Sequence, residues 1–116
     1  MPSPKPPLES EIQKQCLNWL TLHGILAWRQ NSGAMQGTYK GKARFVRFTS
    51  IQGVSDILAC ANDGTFIACE VKRPGGKLRP EQELFLAAVR KRGGVAIVAH
   101  SLDEMIAGLR EAGLVE

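Results

Sequence analysis

The chain has 116 residues, 44% of them hydrophobic and 22% charged. That is the length of one domain with enough apolar mass for a core and too few charges for a solvated, disordered polymer. Fifteen Lys and Arg against eleven Asp and Glu give a net charge of +4, a bias towards a polyanionic partner. No apolar run approaches the roughly 18–20 residues of a membrane span, and no secretory leader is recognisable at the start. Three cysteines without CxxC spacing argue against a disulfide framework and a zinc site, and point to a reducing cytoplasm.

The first seven residues hold four prolines and read as a disordered or extended tail, residues 1–7, ahead of a single domain over 8–116. Leu8 to His23 reads as a helix, with Leu8, Ile12, Cys16, Trp19 and Leu20 on one stripe and Gly24 at the C-cap. Ile25 to Trp28 is a short buried strand. Asn31 to Lys42, with three glycines, reads as a flexible loop. Arg44 to Phe48 alternates basic and apolar residues, as a half-exposed strand does. Asp56 to Cys60 and Thr65 to Lys72 are strands around the turn Asn62-Asp63-Gly64. Pro80 suits the first position of a helix running to about Arg92, closed by Gly93-Gly94. Val95 to Ala99 is a buried β-branched strand, and Ser101 with Glu104 forms a capping box for a last helix carrying Met105, Ile106 and Leu109. The order α-β-β-β-β-α-β-α implies an α/β domain: a mixed β-sheet flanked by helices.

The hairpin carries the chemistry. Glu70 and Lys72, two apart on a strand, share a face; Ile67, Cys69 and Val71 take the other, towards the core. If Asp63 centres a three-residue loop, Asp56 lies opposite Glu70, with Cβ atoms roughly 4.5–5.5 Å apart. A two-residue turn at Asp63-Gly64 would break that register. Two converging carboxylates repel unless a proton or cation intervenes, and a hard divalent ion with oxygen ligands suits them. Such an ion polarises a phosphoryl oxygen and acidifies a bound water, while Lys72 orients that water or stabilises transition-state charge. Glu-x-Lys on a strand is commonly a solvated cross-strand pair. Here the three ionisable groups interrupt otherwise apolar, central-looking strands, where they are costly unless they serve a purpose.

Gly53-Val54-Ser55-Asp56 followed fourteen residues after the aspartate by Glu70-Val71-Lys72 resembles the PD-(D/E)XK nuclease superfamily, with Ser55 in place of the proline of that name. More closely, the chain resembles the virus-type replication-repair nuclease (VRR-NUC) family. Besides the strand motifs, the likeness rests on Glu9-x-x-Ile12-Gln13, on Trp28-Arg29-Gln30-Asn31-Ser32-Gly33 and on Leu78-x-Pro80-Glu81-Gln82. The resemblance implies a restriction-endonuclease-like αβββαβ core plus a C-terminal helix. It implies a Mg²⁺- or Mn²⁺-dependent nuclease in which Asp56, Glu70 and the Val71 carbonyl bind metal and Lys72 is catalytic. A first-helix glutamate would support the metal, and Gln82 would line the site. Glu9 lies at the edge of the apolar stripe and Glu11 on the opposite side, so Glu9 is the inward candidate; its other reading is a favourable charge at the helix N-terminus. The resemblance also implies homodimers acting on branched DNA such as Holliday junctions. The alternatives are a monomeric nicking or flap nuclease and an inactive DNA-binding module.

Eleven of the fifteen Lys and Arg lie between Lys40 and Arg92. Lys40, Lys42, Arg44 and Arg47 precede the proposed site, and Arg73 and Lys77 follow it; these are the candidate DNA contacts, sequence-independent and salt-sensitive. Arg90, Lys91 and Arg92 read as ordinary cations at a helix C-terminus. His23 and His100, isolated at element ends, read as outside the chemistry, and the cysteines as small core residues.

Overall fold

The computed structural model describes residues 5–30, 34–39, 42–47 and 51–116, with 34–39 and 42–47 described by their backbone. In chain order the elements are α1 (Glu9–Leu22), β1 (Leu26–Arg29), β2 (Ala34–Tyr39), β3 (Lys42–Arg47), β4 (Ile57–Cys60), β5 (Phe66–Val71), α2 (Pro80–Lys91), β6 (Val95–Ala99) and α3 (Leu102–Glu111). Of the Pro-rich tail, the first four residues lie outside the described residues, and Lys5 to Leu8 belong to no helix or strand.

Four strands form one mixed sheet in the order β1-β4-β5-β6, antiparallel except for the β5–β6 pair. The parallel pair requires a crossover, which α2 supplies. β5 therefore lies inside the sheet, and its alternation divides the core. Ile67, Cys69 and Val71 join Ile12, Cys16 and Leu20 of α1 and Met105 and Leu109 of α3 on one face. On the other face, Ala68 meets Leu86 and Val89 of α2, together with Leu58 and Val54. Burial pushes the Cys16 thiol up to about 11 and holds that of Cys69 well above its ordinary value, so both remain protonated core side chains.

The expected loop from Asn31 to Lys42 is corrected: Ala34–Tyr39 is a strand, paired antiparallel with β3 in a separate two-stranded ladder. Its glycine and mixed polar residues hide the alternation, and the partner β3 supplies the ladder that propensity does not announce. The α3 capping box is half formed. Ser101 Oγ accepts from Glu104 N at 3.2 Å, while the Glu104 carboxylate turns to the His100 ring instead of reaching back to the cap.

β6 is an edge strand. Ala99 O faces β5, where it accepts from Lys72 N at 2.9 Å; alternation then turns the Ala96 carbonyl outwards, and Arg90 Nη2 donates to it at 3.1 Å. Among the described residues no helix is long and apolar enough to cross a membrane.

Candidate functional site

The hairpin joining β4 and β5 is closed by a three-residue loop. Ala61 N donates to Thr65 O at 2.9 Å, Gly64 takes a φ of 88°, and Asp63 Oδ1 accepts from Thr65 N at 2.9 Å. This geometry sets the ladder, in which Ile57 pairs with Cys69 and Leu58 with Ala68. Continued by one residue, the register puts Asp56 opposite Glu70, and both share the α2 face with Leu58 and Ala68.

Asp56 sits just before β4 and is held at its backbone carbonyl and at its side chain. Its carbonyl accepts from Gln30 N at 2.7 Å, prolonging the β1–β4 ladder, and its Oδ2 accepts from Val71 N at 3.0 Å. The approach to it is shaped by Gly53, whose φ is 76° and where a Cβ would lie 2.1 Å from Glu81 O. Only glycine lets the segment 53–56 press against the first turn of α2. Val54 and Ser55 behind it are buried.

Glu70 is 2% exposed. Its Oε1 accepts from Gln82 Nε2 at 3.0 Å, and Gln82 Oε1 accepts from Arg79 N, the N-cap of α2, at 2.9 Å. The helix start thus fixes the amide so that its NH₂ faces the carboxylate. Glu70 Oε2 is buried with no hydrogen-bond partner among the described residues. Burial pushes the Glu70 carboxyl up to about 8, the neighbouring Asp56 charge adds to the rise, and Lys72 opposes it. An acceptor oxygen without a donor, beside a second carboxylate, fits a hard cation.

The residues named from sequence divide by place. Asp56, Glu70, Lys72 and Gln82 come together at the α2 side of β5, and Val71, its side chain in the opposite core, reaches Asp56 through its N–H. Glu9 borders them: it is half-buried, its Oε1 accepts from Arg73 N at 3.5 Å, and its charge adds to the rise at Glu70. It does not complete a trio, since no group of three His, Cys, Asp or Glu side chains is spaced to hold a metal among the described residues. Glu11 is exposed. Arg73 and Lys77 are exposed on the turn after β5. Lys40 lies outside the described residues, as do the side chains of Lys42, Arg44 and Arg47, whose backbone is in β3.

Three features escaped sequence reasoning. Ser55, fully buried, and Gln13 each carry a buried oxygen without a hydrogen-bond partner among the described residues; both stand in the quoted motifs, which was the available signal. His100, set aside as isolated, bonds Gly76 O and Glu104 Oε1. The Glu104 contact is a local one, four residues along the chain; no local pattern announces the contact with Gly76, because β6 brings His100 to the turn after β5 only through the crossover.

The family model for the VRR-NUC domain matches residues 8–103. Two solved structures share the fold. One, a "VRR_NUC domain", is 24% identical with a TM-score of 0.61 over 89% of this chain and 94% of its own. The other, a "VRR_NUC domain protein", is 19% identical with a TM-score of 0.59 over 97% of this chain and 93% of its own. Among curated proteins none matches the chain.

Proposed function

The chain belongs to the VRR-NUC family and has its nuclease-type fold, and from that premise we propose that residues 8–116 form a divalent-metal-dependent DNA endonuclease acting on branched DNA as a homodimer. The observation that supports this best is the opposed pair Asp56 and Glu70, with one carboxylate oxygen buried and unpartnered, beside Lys72.

Asp56, Glu70 and the Val71 carbonyl would hold Mg²⁺ or Mn²⁺, with Glu9 at the rim. The ion, when bound, supplies Lewis acidity at a phosphoryl oxygen and at a bound water. The chain's own residues do the rest. Val71 N–H orients Asp56, and Gln82 pins one oxygen of Glu70 so that the other faces the pair. Lys72, on the face of Glu70, places a cation where a water must be aligned and where charge grows on the phosphate. Arg73 and Lys77, with the basic run from Lys40 to Arg47, bind phosphates without reading bases. A twofold dimer would set two such sites symmetrically on a junction. A cytoplasmic setting suits the free thiols of Cys16, Cys60 and Cys69.

The test is cleavage of a labelled four-way junction against linear duplex in Mg²⁺, Mn²⁺ or EDTA, with light scattering for the oligomeric state. Expected are paired cuts on the junction, none in EDTA, a dimer mass, and a loss of at least about 100-fold in Lys72→Ala. Flap or nick cleavage by a monomer would replace the branched-DNA reading, and metal-independent or absent cleavage would overturn the enzyme itself.

A further inference from the structure

The turn between β5 and α2 carries four cations, Lys72, Arg73, Lys77 and Arg79. Pro74 and Gly75 form its corner: Gly75 has a φ of 82° and Gly76 N donates to Arg73 O at 2.8 Å, as in a type II turn. The next carbonyl, Gly76 O, lies 3.1 Å from His100 Nε2, and Nδ1 of the same ring lies 3.0 Å from Glu104 Oε1.

Both partners of the ring are acceptors with no hydrogen to give. A neutral imidazole carries one N–H and turns a lone pair towards the remaining oxygen; only the imidazolium donates to both. We infer that His100 is a positioning residue which, as an imidazolium, straps the basic turn 73–79 to α3 and thereby sets where Arg73 and Lys77 stand beside the Asp56–Glu70 pair. The strap stands on its own geometry; its consequence for nucleic acid rests on the nuclease reading.

The surroundings agree. The bond to Glu104 first, and the Gly76 carbonyl second, raise the His100 pKa above its ordinary value. Of the elements against the ring, the first turn of α3 carries Asp103 and Glu104, the turn after β5 carries Arg73, Lys77 and Arg79, and β6, Val95–Ala99, carries no charge; of these groups Glu104 acts on the ring. Among the described residues the ring's hydrogen bonds are the two given. Because the folded-state pKa is raised, the strap is complete below the ordinary imidazole range and is lost as pH climbs through the raised value. Above it, one of the two bonds fails and the turn is released on one side.

The test uses the ¹⁵N-labelled full chain in EDTA, followed by NMR across pH. The His100 ring should titrate above the ordinary imidazole range, and the Gly76, Arg73 and Lys77 amides should shift with the same midpoint. Glu104→Gln keeps an acceptor but removes the charge, and should move that midpoint down. Affinity for a labelled DNA duplex, measured in a Glu70→Gln background to silence that carboxyl, should weaken about fivefold through the midpoint, the weight of one charge-assisted hydrogen bond at a part-exposed site. His100→Gln should abolish this dependence. Amides that ignore the ring titration, or a midpoint unmoved in Glu104→Gln, overturn the strap whatever the DNA does. Amides that follow the ring in a chain that neither binds nor cuts DNA leave the strap standing and remove the nuclease reading instead.

Discussion

Glu70 is held where an ionised carboxylate is least welcome. It is buried, opposed by Asp56 and given one neutral donor, Gln82. Its carboxyl, pushed up to about 8 from an ordinary 4.5, keeps its proton over a range where the unfolded chain has already lost it. The raised value stabilises the metal-free fold fully below about pH 4.5, and that contribution disappears as pH rises to about 8. The melting temperature in EDTA should therefore fall, on the order of 10 °C across that interval, and calorimetry on Glu70→Gln should show most of the slope gone. A wild-type curve as flat as the variant's would mean that Glu70 ionises freely. The pairing of Asp56 with Glu70 was legible in the chain because it depends on a local quantity, the length of the Asn62-Asp63-Gly64 loop. The bond from Gln82 was not, since it depends on how α2 docks after the crossover.

At the scale of elements, the site exists because the segment before β4 and the first turn of α2 touch through Gly53. Gly53→Ala brings both a left-handed backbone penalty and a collision with Glu81 O, 2.1 Å from the added Cβ. Gly64→Ala, also at positive φ but with nothing within 4 Å, brings only the first. Denaturant unfolding should show Gly64→Ala losing about 1 kcal/mol and Gly53→Ala losing more, on the order of 3 kcal/mol. Equal losses would show that the close approach contributes nothing. The elements themselves were readable where a physical signal is local: Pro80 at the start of α2, the β-branched run of β6, Ser101 as the N-cap of α3. β2 was not, because a strand containing Gly37 and polar neighbours is made by its partner β3 rather than by its own alternation.

For the whole molecule, the question is how a small basic body grips a polyanion. The turn 73–79, which follows the acid-bearing β5, leaves Arg73 and Lys77 exposed to solvent, and cations so exposed act by releasing counterions. If each meets one phosphate, the double variant Arg73→Ala/Lys77→Ala should reduce the slope of log affinity against log salt by about two, measured by fluorescence anisotropy in EDTA. An unchanged slope would take this turn out of the interface and leave the task to the basic run around β3.

The guanidinium of Arg90 at the outward carbonyl of Ala96 also limits how copies of the chain can associate. A neighbouring backbone laid along β6 would find that rung already filled by a side chain from the chain's own helix, so the four-stranded sheet is discouraged from growing sideways there. Any twofold assembly is thereby steered towards faces that do not extend the sheet through β6.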